Sequence, residues 1–122
     1  YYYQDSLKDT TLTGIELTKK LLSLKNPPTA IICSLDKFFI GCLQECQKKG
    51  LNVPNDISVV GYNDHDNYLS SQNLTFISHP LTKMGKMAVE ILEKIEKGEN
   101  PNNLSKLIEP ILNEGKSDGK IT

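Results

Sequence analysis

The sequence predicts an α/β fold, a largely parallel Rossmann-like sheet flanked by helices. Two runs rich in β-branched residues, "TAIICS" (29–34) and "ISVVGY" (57–62), are short and continuously apolar, as suits strands covered on both faces of a parallel sheet. Segments with apolar residues at helical spacing precede, separate and follow them, each ended by proline or glycine. At 122 residues the chain is long enough to enclose one hydrophobic core without metals or disulfides, so one domain is expected.

Taken in order, segment 11–25, "TLTGIELTKKLLSLK", returns Leu12, Ile15, Leu17, Leu21, Leu22 and Leu24 to one broad helical face, and "NPP" at 26–28 forbids continuation. The strand at 29–34 leads into a helix at 36–49 with Asp36 as its expected cap. That helix carries Phe39, Cys42, Leu43 and Cys46 on one stripe, and two terminal lysines complement its dipole. Gly50 reads as the left-handed stop and Leu51 as the apolar residue that closes it. A second strand at 57–62 is followed by a polar loop of about a dozen residues, longer than compact domains usually need. A third strand is expected at 75–78. From Leu81, the positions Met84, Ala88, Ile91, Leu92 and Ile95 recur at helical spacing until Gly98 and Pro101. "LSKLIEPILNEG" reads as an edge strand interrupted by Pro110, and "KSDGKIT" as a polar tail.

Composition narrows the function classes. Fourteen basic residues against fifteen acids give a net charge of −1, so this segment lacks the basic field that drives binding to a phosphate backbone. Cys33, Cys42 and Cys46 are odd in number and match no zinc spacing; they read as reduced, packed thiols of a cytoplasmic protein. No apolar run approaches the length of a membrane span, and no charged-then-apolar leader opens the chain. Opening at "YYYQD" without an initiator Met, the chain is expected to be a piece of a longer protein.

Ligands of parallel sheets gather at the carboxyl ends of the strands, which places Ser34–Asp36 and Tyr62–Asp66 at the expected site. Asp64, His65 and Asp66 are metal-compatible groups, but consecutive residues rarely converge on one ion, and a solvated or capping loop is the expectation. No metal or cofactor is expected. The sequence lacks G-x-S-x-G, a P-loop and G-x-G-x-x-G, so enzyme activity is not expected either. His79, before Pro80, reads as a structural or interdomain contact. Phe38 and Phe39 cannot share one helix face, which leaves one for the core and one for an interface.

The order "PTAI", "GLNVPNDISVVGY", "LT", then "HP", "MG" and "AVEIL" resembles the C-terminal part of the lactose/galactose-repressor (LacI/GalR) family of bacterial transcription regulators, from about residue 10 to 112. The resemblance implies a type I periplasmic-binding-protein-like fold, in which two α/β subdomains close on a small effector, and this chain supplies mainly the C-terminal one. A separate N-terminal helix-turn-helix region, outside this segment, would bind DNA. Residues 1 to about 76 and the final strand would belong to the C-terminal subdomain, and His79–Lys97 would pack on the N-terminal one.

By the same resemblance, the effector pocket falls on Asp9, Leu35, Asp36, Asn63 and Asp64. Asp9 stands where the family has an aromatic residue, Leu35 replaces an asparagine, and Asn63 replaces the acid that holds sugar hydroxyls. Asparagine still donates and accepts hydrogen bonds, but without the charge that strengthens a bond to a hydroxyl. The expected ligand is a sugar or sugar derivative bound in an altered site. A homodimer is implied through residues 12–25, 37–49 and the loop near 67–72, using Phe38, Cys42, Cys46 and Tyr68. The alternative of the same fold is a secreted sugar-binding protein of a transport system.

Overall fold

The computed structural model describes residues 10–62 and 68–120. Its elements follow the order α1 (Thr10–Leu22), β1 (Ala30–Ile32), α2 (Asp36–Lys48), β2 (Ser58–Tyr62), α3 (Tyr68–Ser71), β3 (Phe76–Ser78), α4 (Leu81–Glu96), a 3-10 turn (Pro101–Asn103) and β4 (Ile111–Asn113). The four strands lie in the order β1-β2-β3-β4. β1 runs parallel to β2 with Ile31 opposite Val59, and β2 runs parallel to β3 with Gly61 opposite Phe76. The α/β class and the parallel pairing agree with the sequence reading.

Two units make up the chain, one running to Ser78 and resuming at Leu112, the other His79–Ile111. The core lies in the first. Strand alternation sends Ile31, Cys33, Val59, Gly61 and Phe76 to one face of the sheet, where Phe39, Cys42 and Cys46 of α2 and Leu69 of α3 complete a buried cluster. The opposite face is less covered among the described residues of this unit. Ile32 is 72% exposed, while Val60, Tyr62 and Ile77 are half-buried. The expectation that 29–34 is a strand covered on both faces is therefore corrected: among the described residues α2 packs on one face, and β1 lies at the end of the strand order.

The helix ends follow local chemistry. α1 stops at Leu22 rather than 25: the Leu24 N–H turns to the Leu21 carbonyl at 3.3 Å in a tighter closing turn, and the Ser23 hydroxyl donates back to the Lys20 carbonyl at 2.8 Å. α2 ends as expected: Gly50 takes φ +74° and the Leu51 N–H donates to the Cys46 carbonyl at 2.9 Å. Its start differs. Leu35, not Asp36, occupies the cap position and makes no side-chain cap bond; Asp36 is the first helical residue.

α1 and α2 cross at very short range. A Cβ on Gly41 would fall on the Thr11 carbonyl oxygen and lie 2.9 Å from the Ile15 nitrogen, so only glycine permits this approach. The expected polar tail is corrected too. Ser117 is 1% exposed; its hydroxyl accepts the Thr75 N–H at 2.9 Å and its carbonyl accepts the Val59 N–H at 2.7 Å. Ser58 Oγ exchanges two 3.1 Å bonds with the Gly119 backbone, and the Thr75 hydroxyl donates to the Asp118 carboxylate. These bonds make the tail a strap across the amino ends of β2 and β3.

The second unit is built on α4, whose apolar positions match the sequence reading, yet no residue of α4 is buried: Leu81 is 66% and Leu92 61% exposed. Pro110 precedes β4 instead of interrupting it, which removes no ladder bond.

Two stability outcomes follow. Gly41→Ala should lower unfolding free energy by about 1–3 kcal/mol or more, the usual cost of forcing atoms into a packed contact, read as a lower urea midpoint at unchanged slope. Ser117→Ala strands the buried Thr75 N–H and should cost about 1–3 kcal/mol in the same measurement.

Candidate functional site

Parallel pairing puts the carboxyl ends of β1, β2 and β3 on one side, so Ser34–Asp36, Tyr62 and Ser78 come to the same edge of the sheet. Ser34 is exposed, Leu35 and Tyr62 are half-buried, and Asp36 is 8% exposed. Leu35 is extended at φ −138°, ψ 147°, and its carbonyl accepts the Phe39 N–H at 3.0 Å, so the residue turns the chain from strand to helix. Asp36 Oδ1 accepts the Lys37 N–H at 2.7 Å, which places a carboxylate at the positive end of α2. That bond occupies one of its oxygens in local structure.

Of the five pocket residues expected from the sequence, Leu35 and Asp36 stand at this edge. Asp9, Asn63 and Asp64 lie outside the described residues, as do His65 and Asp66. The sequence reading missed two polar groups here. Asn113 of β4 donates from Nδ2 to Ser78 Oγ at 2.8 Å and to the Phe76 carbonyl at 3.4 Å, fastening the end of β3. Only the pairing of distant strands makes this contact, and no local pattern signals it. Among the described residues no group of three or more His, Cys, Asp or Glu is arranged to hold a metal ion, and no helix is long and apolar enough to cross a membrane.

The four residues assigned to a subunit contact divide sharply. Tyr68 is 38% exposed and Phe38 is half-buried. Cys42 and Cys46, at 1% and 0% exposed, face the sheet in the chain's own core, so their assignment to an interface is corrected: a side chain already enclosed by its own fold has no surface to offer. The same burial agrees with the reading of all three cysteines as packed, free thiols. Phe39 is fully buried, so Phe38 is the aromatic of the pair left near the surface.

The sequence matches the periplasmic binding protein-like domain family over residues 2–117. It is 36% identical over 99 residues to the ribose operon repressor of Haemophilus influenzae, covering 80% of this chain and 30% of that protein. It is 40% identical over 85 residues to the HTH-type transcriptional repressor PurR of Glaesserella parasuis, covering 68% of this chain and 25% of that one. The crystal structure of a LacI family transcriptional regulator from Bifidobacterium animalis subsp. lactis superposes with a TM-score of 0.79 at 26% identity, over 92% of this chain and 41% of that chain. The chain thus spans less than a third of the length of these curated relatives. With the parallel sheet and a family match over nearly every residue in agreement, the chain belongs to the periplasmic binding protein-like domain family, and it is similar to the matching part of LacI-family proteins.

Proposed function

We propose that this chain is the effector-sensing and dimerising portion of a cytoplasmic LacI-type transcriptional regulator, not an enzyme. The observation that carries the reading is the family match over residues 2–117, joined to relatives named as transcriptional repressors. The regulator would contact DNA through a helix-turn-helix region outside these residues, in keeping with the net charge of −1 on this segment. Its ligand would be a sugar or sugar derivative held between two subdomains, with Asp9, Leu35, Asp36, Asn63 and Asp64 on the side supplied by this chain. The strand-end position of Leu35 and Asp36 supports that placement.

Ligand binding would act by shifting the closure of the two subdomains, and the shift can be no larger than the difference in ligand affinity between the open and closed forms. Residues 79–97 would pack on the other subdomain, which gives a use to the apolar residues that α4 leaves unburied. The homodimer would form through the outer sides of α1 and α2 and the turn carrying Tyr68, with Phe38 at its margin.

Calorimetry on the full-length regulator against sugars, sugar phosphates and nucleobases should find a ligand whose affinity falls about tenfold in Asn63→Ala, as expected when a hydrogen bond worth about 1.4 kcal/mol is lost. Unchanged affinity removes Asn63 from the site. In sedimentation at tens of micromolar the regulator should run as a dimer, and Tyr68→Glu should shift it toward monomer; a wild-type monomer at that concentration contradicts the assembly.

A further inference from the structure

Strand β1 is paired on one side only. It stands last in the strand order, and the register that sets Ile31 opposite Val59 fixes which of its backbone groups meet β2. Along a strand, the N–H and C=O of one residue point to one neighbour and those of the next residue to the other side. The Thr29 carbonyl accepts the Ser58 N–H at 3.0 Å and the Cys33 N–H donates to the Val60 carbonyl at 2.8 Å, so positions 29, 31 and 33 serve β2. Ala30 and Ile32 therefore turn their backbone groups to the open edge, where no strand pairs with them among the described residues. An apolar groove of about 540 Å³ runs beside that edge, lined by Leu17, Leu21 and Leu24 of α1, Ile31 and Ile32 of β1, and Phe38 of α2.

Chain connectivity identifies the segment that belongs there. α2 carries the chain from β1 to its parallel neighbour β2 across the inner face of the sheet, and α1, which leads into β1, lies on that same face against α2. Crossovers between parallel strands are right-handed in nearly all proteins, so two successive crossovers with their helices on one face must step across the sheet in the same direction. The step from β1 to β2 sets that direction. A strand that α1 joins to β1 therefore lies on the side of β1 away from β2, at the open edge and parallel to it.

We propose that the stretch of the full-length chain leading into α1 adds a further parallel strand to the free edge of β1, pairing with Ala30 and Ile32 and sending apolar side chains into the groove below Leu17 and Leu21. The inference rests on the reading of this chain as part of a longer regulator, which the chain's span of less than a third of its curated relatives supports. The added strand satisfies backbone groups that an open edge leaves to solvent or to chance association. β1 then becomes an interior strand, and the Ser34–Asp36 turn that follows it is braced from both sides.

Residue-resolved hydrogen exchange on the full-length protein, in the absence of effector and DNA, tests the pairing. The Ala30 and Ile32 amides should exchange as slowly as the bonded amides of Cys33 and Ser58, and alternate amides in the stretch before Thr10 should be slowed with them. Fast exchange at Ala30 and Ile32 beside slow exchange at Cys33 and Ser58 overturns the proposal. Slow exchange there with the preceding stretch unprotected also overturns it, because another segment then holds the edge, and protection lost on dilution gives the edge to a second copy. The measurement needs no variant that could misfold. It is read whether or not the protein binds a sugar or DNA, so its failure and the failure of the functional reading are told apart.

Discussion

Helix α2 is confined on two sides by contacts too close for an added Cβ, and the rest of the first unit is arranged around it. On one side Gly41 lies against the backbone of α1. On the other, Phe39 reaches the sheet where Gly61 leaves room for it: a Cβ there would lie 2.6 Å from a Leu69 methyl and 3.1 Å from the Phe39 ring. Close-packed interiors transmit such constraints because side chains have few alternative positions. The amino end of α2 is thereby held at the carboxyl edge of the strands, and Leu35 and Asp36 reach the candidate site as a consequence of core packing.

The sheet is asymmetric in its energetics. Its inner face buries Ile31, Val59 and Phe76 against α2 and α3, and this burial is the main favourable term. The outer face carries Ile32 largely in solvent. Polar groups counter part of what the core gains: Glu45 is 1% exposed and its Oε1 has no hydrogen-bond partner among the described residues, an expensive placement for a carboxylate. By contrast the strap from Asn113 to Gly119 is well paired, and its bonds to Ser58, Val59 and Thr75 keep the amino ends of two parallel strands in register.

The cysteines show how burial limits what a side chain can do. Cys42 and Cys46 are enclosed with Cys33 in the core between α2 and the sheet, which takes them away from any subunit interface, and a thiol buried in apolar surroundings is inert.

By itself the sequence determined the class and order of the elements, since hydrophobic periodicity, the "NPP" stop and the Gly50–Leu51 closure act over a few residues and need no distant partner. It also placed Leu35 and Asp36 at a strand's end, because a parallel sheet puts the turn after each strand on one side. Tertiary structure alone decided the rest. Whether Ile32 is covered depends on which elements stack beside β1; whether Ser117 is tail or strap depends on a bond made 42 residues away at Thr75; and whether Cys42 faces a partner or a core depends on the rotation of α2 about its own axis, set by Gly41 and Phe39. Each turns on contacts between residues far apart in the chain, which local pattern does not encode.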